Sequence, residues 1–225
     1  FSAGVLAVSN AVKKDLEKFG VNINKIKVIY NPIINNNSSD LLHEKHYQLW
    51  KSLNIKKILA IGSLKKDKDF QTLIKAISIV SKKINLRLAI LGEGDQFQNI
   101  KLLAIKLNLQ DKIIMPGFVK DLSDWYNSAD VLVSSSLHEG FGNIILEALD
   151  HGLHVISTNA GGPEEILENG LYGDIVPIKN PIILSQMIIK SFEKKNDPII
   201  LKKRAQNFSL DKISDQYIDY IETLM

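Results

Sequence analysis

The sequence predicts an α/β fold, a parallel sheet covered by helices on both faces, and three observations carry that prediction. Short continuous apolar runs recur at 58–61, 86–91, 113–115, 131–134, 154–157 and 174–176. Stretches of helical period separate them. Glycine-bearing turns stand where runs end, at Gly62, Gly92, Gly117, 140–142 and Gly161. A strand buried on both faces reads as unbroken apolar sequence, and helices on both faces of a parallel sheet bury it that way. Ligands of such sheets bind beyond the carboxyl ends of the strands. The glycine turns all follow strands, so they should crowd onto one edge.

Each element has a local cause. Residues 5–8 form a short apolar strand, and Ser9 is placed to cap a helix that runs to about Phe19 and stops at Gly20. A second short strand, 27–30, ends at Asn31-Pro32, since a residue before proline avoids helical geometry. The run 35–39 (Asn-Asn-Asn-Ser-Ser) is the best linker candidate, and a helix is expected over 40–53. Further helices are predicted at 70–81, 95–107, 122–128, 143–150, 162–168, 181–194 and 199–207. Ile213, Tyr217, Ile218, Ile221 and Leu224 give the tail a helical pattern. The expected organisation is 1–34 as the end of a preceding domain plus a hinge, 35–208 as the ligand-binding domain, and 209–225 as a terminal helix.

Composition narrows the function classes. The 225 residues are 45% hydrophobic and 24% charged, which suits an ordinary globular core. A net charge of +3 with scattered lysines gives no nucleic-acid footprint. With no cysteine, disulfide and thiolate–metal chemistry are unavailable. No run approaches the roughly 20 apolar residues that span a bilayer, and no signal peptide is evident. The start at Phe1 resembles the middle of a folded domain, so a fragment is expected.

The most informative segment runs from Ser135 to Leu149. Here an apolar strand enters the turn His138-Glu139-Gly140-Phe141-Gly142, and a helix begins at Asn143. Such a turn aims unpaired amides at a ligand above the strand end, which suits a phosphate. Glu139 and Glu147 flank that spot, and carboxylates accept hydrogen bonds from neutral hydroxyls. Amides for phosphates and acids for sugar or ribose hydroxyls together suggest a nucleotide-sugar ligand.

With these residues in view, nearly the whole chain resembles the C-terminal half of a GT-B glycosyltransferase of the retaining glycosyltransferase family 4 (group 1) type. The resemblance rests on Gly62-Ser63-Leu64-Lys65-Lys66-Asp67-Lys68, Leu91-Gly92-Glu93-Gly94, and Gly117-Phe118-Val119 with Asp121, Leu122 and Tyr126. It continues through Glu139 to Glu147 and Gly161-Gly162-Pro163-Glu164-Glu165-Ile166 with Asn169, Gly170 and Gly173. Residues 8–13 and 28–32 resemble the last strand and helix of the N-terminal domain and the hinge. The fold implied is Rossmann-like.

The resemblance implies a transferase that moves a sugar from a nucleoside-diphosphate sugar to an acceptor hydroxyl with retention. Lys68 is similar to the family's diphosphate-binding lysine and Glu139 to the residue that holds the donor sugar, so both are catalytic candidates. Glu147 would hold the ribose, and Gly140, Phe141, Gly142 and Asn143 would supply the turn and helix start around the sugar and diphosphate. The same glycines would also suit a plain turn. Gly62, Ser63, Gly92 and Gly94 belong to the implied donor site. Ser63 departs from the family's frequent arginine and offers one neutral hydrogen bond instead of a bidentate charge. Phe118 and Val119 stand where the family reads the base through backbone atoms, although core packing accounts for them equally well. His138 either reaches the sugar or has no function.

The implied partners are a UDP- or GDP-sugar donor and a glycan or lipid-linked acceptor bound by the N-terminal domain, with no nucleic acid. No cofactor is implied beyond the donor substrate. No metal is expected: His43 and His46 lack a carboxylate array, and Asp121 and Asp130 are isolated. Polysaccharide or glycolipid synthesis for the cell envelope is the commonest role of such sequences. It implies a cytoplasmic place, with peripheral association at the inner face of the membrane compatible. Two alternatives stay open, a non-catalytic nucleotide-binding module and a GT-B sugar-nucleotide epimerase. An NAD domain fits less well, because Gly62 is followed by lysines and no G-x-G-x-x-G follows the first strand of the sheet.

Overall fold

A computed structural model describes residues 3–34, 44–51, 55–194 and 197–224. The strands are β1 (Val5–Ala7), β2 (Ile26–Val28), β3 (Lys56–Ile61), β4 (Leu86–Leu91), β5 (Ile113–Gly117), β6 (Val131–Ser134), β7 (Val155–Thr158) and β8 (Asp174–Val176). The helices are α1 (Asn10–Lys18), α2 (Glu44–Lys51), α3 (Phe70–Val80), α4 (Phe97–Lys106), α5 (Ser123–Ser128), α6 (Asn143–Asp150), α7 (Gly162–Ile166), α8 (Pro181–Ser191), α9 (Pro198–Ala205) and α10 (Leu210–Glu222). The expected linker at 35–39, His43 and the flanks of the helix expected over 40–53 lie outside the described residues.

Strands β3 to β8 form one parallel sheet in the order β5-β4-β3-β6-β7-β8, while β1 and β2 pair in a separate parallel ribbon. The predicted doubly covered parallel sheet is therefore present. Its apolar side chains divide by face. Leu59, Leu132 and Val155 point into one core with α6 and α9, whereas Ile58, Ala60, Val131, Val133 and Ile156 point into another with α3 and α8. Two cores need apolar residues at odd and even positions alike, which is why the strands read as unbroken runs.

Strand order reverses between β3 and β6, so the crossovers leave in opposite directions and a crevice opens beyond their carboxyl ends. Several boundaries differ from the sequence expectation. The second strand ends at Val28 because Tyr30 turns inward, stacking on Phe141 at 5.5 Å and meeting Phe208 edge-on at 5.4 Å. Helix α7 stops at Ile166, and positive φ angles at Glu168 and Asn169 rule out its predicted extension. Helix α4 starts at Phe97 rather than at 95, after the turn that follows β4.

Candidate functional site

The loops after β3, β4 and β5 are tied together by their backbones. Gly62 N donates to Leu91 O at 3.0 Å, Leu64 N to Glu93 O at 2.7 Å, and Gly92 N to Gly117 O at 2.7 Å. Gly92 lies at φ 136°, and a Cβ there would sit 2.0 Å from Gly62 O. Only glycine allows these two loops to approach so closely.

Lys68 ends a short turn (Lys66–Lys68), after which Asp69 caps α3 by accepting from Thr72 N. That turn is fastened to the β6 loop, where Ser135 Oγ donates to Lys68 O at 2.9 Å and Leu137 N donates to Asp67 O at 2.7 Å. Glu139 is held from the other side, its N donating to Ala160 O and its O accepting from Gly162 N, both at 2.9 Å. A Cβ on Gly162 would lie 2.4 Å from Phe141 Cα, so this glycine lets the α7 start press against the turn. The two fastened loops bring Lys68 Nζ and Glu139 Oε2 into a direct ion pair. Their side chains are only 19% and 17% exposed. Ser136 Oγ also reaches Glu139 Oε2 at 3.4 Å.

Around this pair lies a cleft of about 340 Å³. Of the predicted site residues, Gly62, Ser63, Lys68, Glu139, Gly140, Phe141, Gly142 and Asn143 line it. The start of α6 faces the cleft, and the first amides of any helix lack intrahelical partners. Cation, carboxylate and helix start thus converge on one concavity, where an anion would meet the lysine and amides and a hydroxyl would meet the carboxylate.

Glu147, Gly92, Gly94, Phe118 and Val119 do not line this cleft. Glu147 sits half-buried on α6, where Tyr126 Oη donates to its Oε2 at 2.9 Å. Burial raises the carboxyl's pKa, and the tyrosine bond partly offsets it. The Tyr126 hydroxyl is pushed well up by burial and then by the Glu147 charge. Gly92 and Gly94 are spacers between backbones, since a Cβ on Gly94 would lie 2.5 Å from Leu64 O. Val119 is buried in the core, so packing accounts for its side chain, whereas Phe118 is 62% exposed. Phe141 faces the core with its ring. His138 points toward α1, 3.7 Å from Asp15 Oδ2.

Three features escaped sequence reasoning. Asn31 and Val8 line the cleft, and Asn31 Nδ2 donates to Asn143 Oδ1 at 3.0 Å. The Lys68–Glu139 pair joins positions assigned to different parts of a ligand. Glu165 accepts from Asn10 N at 3.0 Å, Ala11 N at 2.9 Å and Tyr30 Oη at 3.1 Å, binding the start of α1. Proximity of α1 to the 161–166 turn had no sequence signal, because the partners lie 155 residues apart. Among the described residues no group of three or more His, Cys, Asp or Glu side chains is arranged to hold a metal. No described helix is long and apolar enough to cross a membrane.

Comparison with known proteins gives this geometry a family. An uncharacterized glycosyltransferase of Methanocaldococcus jannaschii is 34% identical over 193 residues, covering 80% of this chain and 48% of that protein. The N-acetylgalactosamine-N,N'-diacetylbacillosaminyl-diphospho-undecaprenol 4-alpha-N-acetylgalactosaminyltransferase of Campylobacter jejuni is 27% identical, over 96% of this chain and 59% of its own length. This chain thus spans about half to three fifths of these relatives. A glycosyltransferase structure from Rickettsia africae superposes with a TM-score of 0.85 at 26% identity, covering 98% of this chain and 63% of that one. The Anabaena protein Alr3699/HepE, solved with UDP and glucose, shares the fold with a TM-score of 0.87 at 22% identity, over 99% of this chain and 64% of that one. The family model for glycosyl transferases group 1 matches residues 44–208, and the chain belongs to that family.

Proposed function

We propose that this chain is the donor-binding part of a retaining glycosyltransferase that uses a nucleoside-diphosphate sugar. The observation that carries the proposal is the convergence of Lys68, Glu139 and the α6 start on one cleft at the strand-order reversal. Family membership supports it, as do fold neighbours solved with UDP and with UDP-glucose. In the proposed reaction the bond from the anomeric carbon to the diphosphate oxygen breaks. The acceptor oxygen then attacks the same face through an oxocarbenium-like state, and its proton passes to the leaving phosphate. Lys68 and the amides at 140–143 neutralise charge on the leaving group, where such contacts are each worth a few kcal/mol of barrier. Glu139 orients the sugar, and Glu147 receives ribose hydroxyls. The acceptor binds to residues outside this chain, so the chain alone binds nucleotide and turns over little. Envelope polysaccharide or glycolipid synthesis is the proposed setting.

The test is calorimetric titration of the purified chain with UDP, GDP, ADP and NAD in the presence of EDTA. One nucleoside diphosphate should bind saturably. Lys68→Ala should weaken it by roughly 10- to 100-fold, the worth of a charge-assisted hydrogen bond. Glu147→Ala should weaken it as well. Binding of NAD alone, or of none of the four, would sink the proposal.

A further inference from the structure

The Lys68–Glu139 pair poses a question that the two separate roles leave open. A cation meant for a diphosphate is already neutralised by a carboxylate meant for a sugar. Both side chains are more than four-fifths buried, so neither can turn to bulk water without leaving its partner under-compensated. Removing one member of a pair with little solvent access leaves the other as an unpaired charge, which is costly.

We propose that this ion pair makes the site discriminate the intact donor from the free nucleoside diphosphate by partner exchange. The inference rests on the nucleotide-sugar proposal. When a sugar-bearing donor enters, its phosphate takes Lys68 and its sugar hydroxyls donate to Glu139, so both halves of the broken pair find new partners. A nucleoside diphosphate without sugar takes Lys68 but offers Glu139 no donor. Its terminal phosphate also carries more negative charge and lies beside that carboxylate. Ser136 Oγ, 3.4 Å from the same oxygen, is one weak partner left to it. The backbone of Glu139 is fixed at both N and O, which anchors the side chain beside Lys68. The free diphosphate therefore pays an electrostatic penalty that the donor escapes, and product leaves the site more readily after transfer.

The test compares wild type, Glu139→Gln and Lys68→Gln in titrations with UDP and UDP-glucose, and with GDP and GDP-mannose. Glutamine at 139 keeps the shape and removes the charge, and thermal unfolding checks that each variant is folded. Glu139→Gln should tighten the free nucleoside diphosphate by about fivefold or more, the low end of common coupling between two contacts. The same change should weaken the sugar-bearing form, inverting the order of preference. Lys68→Gln should weaken both forms. If Glu139→Gln leaves the free diphosphate unchanged or weakens it while Lys68→Gln still weakens both, partner exchange is wrong and the nucleotide site stands. If Lys68→Gln alters neither form, or no nucleotide binds wild type, the nucleotide-sugar proposal itself fails.

Discussion

At the scale of single residues, burial decides how the ionisable groups near the cleft are paired. Glu147 shows this best. Burial raises its carboxyl's pKa from the ordinary value, and the hydrogen bond from Tyr126 works in the opposite direction. Tyr126 is itself fixed, its ring stacked 5.1 Å from that of His151, whose Nδ1 lies 2.9 Å from Asn127 Oδ1. Replacing Tyr126 by Phe removes the bond that lowers the Glu147 pKa, so that pKa should climb further. An ionised carboxylate is the stronger acceptor for ribose hydroxyls. With Glu147 in its proposed role, nucleotide affinity should rise with pH through the Glu147 titration in wild type, and Tyr126→Phe should move that rise to higher pH. A pH series of titrations checks this, and an unmoved midpoint with uniformly lower affinity would mean that Tyr126 only packs. Tyr126 was legible from the sequence as part of a family pattern, but its contact with Glu147 was not. The two stand 21 positions apart on separate helices.

Elements set where those residues can stand. Each apolar strand was visible as a run because its two faces enter two cores, so β3, β4 and β6 appear close to their predicted places. Ends were harder to place where a side chain leaves its element for a distant partner, as Tyr30 does toward Phe141. The start of β7 is a similar case. The run in the sequence opens at 154 but the strand opens at Val155, and His154 before it is buried and pairs with Asp174 on β8 at 2.7 Å. Foremost through this bond, His154 holds the Asp174 carboxyl below its ordinary 3.8. A carboxyl with a depressed pKa in the folded state stabilises the fold above its unfolded pKa, and that contribution fades as pH falls through the depressed value. Asp174→Asn should then cost about 1.5–3 kcal/mol at neutral pH. The difference from wild type should shrink in acid below about pH 4, as the wild-type carboxyl becomes protonated. Urea unfolding at several pH values measures this. A pH-independent gap would show that shape, and not ionisation, matters there.

Across the whole molecule, the ribbon β1–β2 with α1 is a small sheet separate from the six-stranded one and bonded to its body. Ile33 N donates to Phe208 O at 2.8 Å, Ser9 Oγ donates to Gly140 O, and Tyr220 Oη reaches Lys25 O at 3.5 Å from α10. The Glu165 carboxylate accepts from the first two amides of α1 and from Tyr30 at once. Glu165→Ala should free the Asn10 and Ala11 amides at a cost of about 1 kcal/mol, the usual worth of a cap. Faster hydrogen exchange at those two amides, with β3 and β4 unchanged, is the expected outcome. Unchanged exchange at Asn10 and Ala11 would show that other contacts hold α1. This fastening also bears on the cleft, whose lining includes Val8 and Asn31 from the first 34 residues beside Lys68 and Glu139. Every role proposed above depends on a nucleoside diphosphate binding in that cleft. A crystal structure of the chain with the nucleotide-sugar it binds tests it most directly. The diphosphate should lie against Lys68 Nζ and the amides of 140–143, the ribose at Glu147, and Glu139 should have parted from Lys68. A nucleotide bound elsewhere, with the Lys68–Glu139 pair intact, would contradict it.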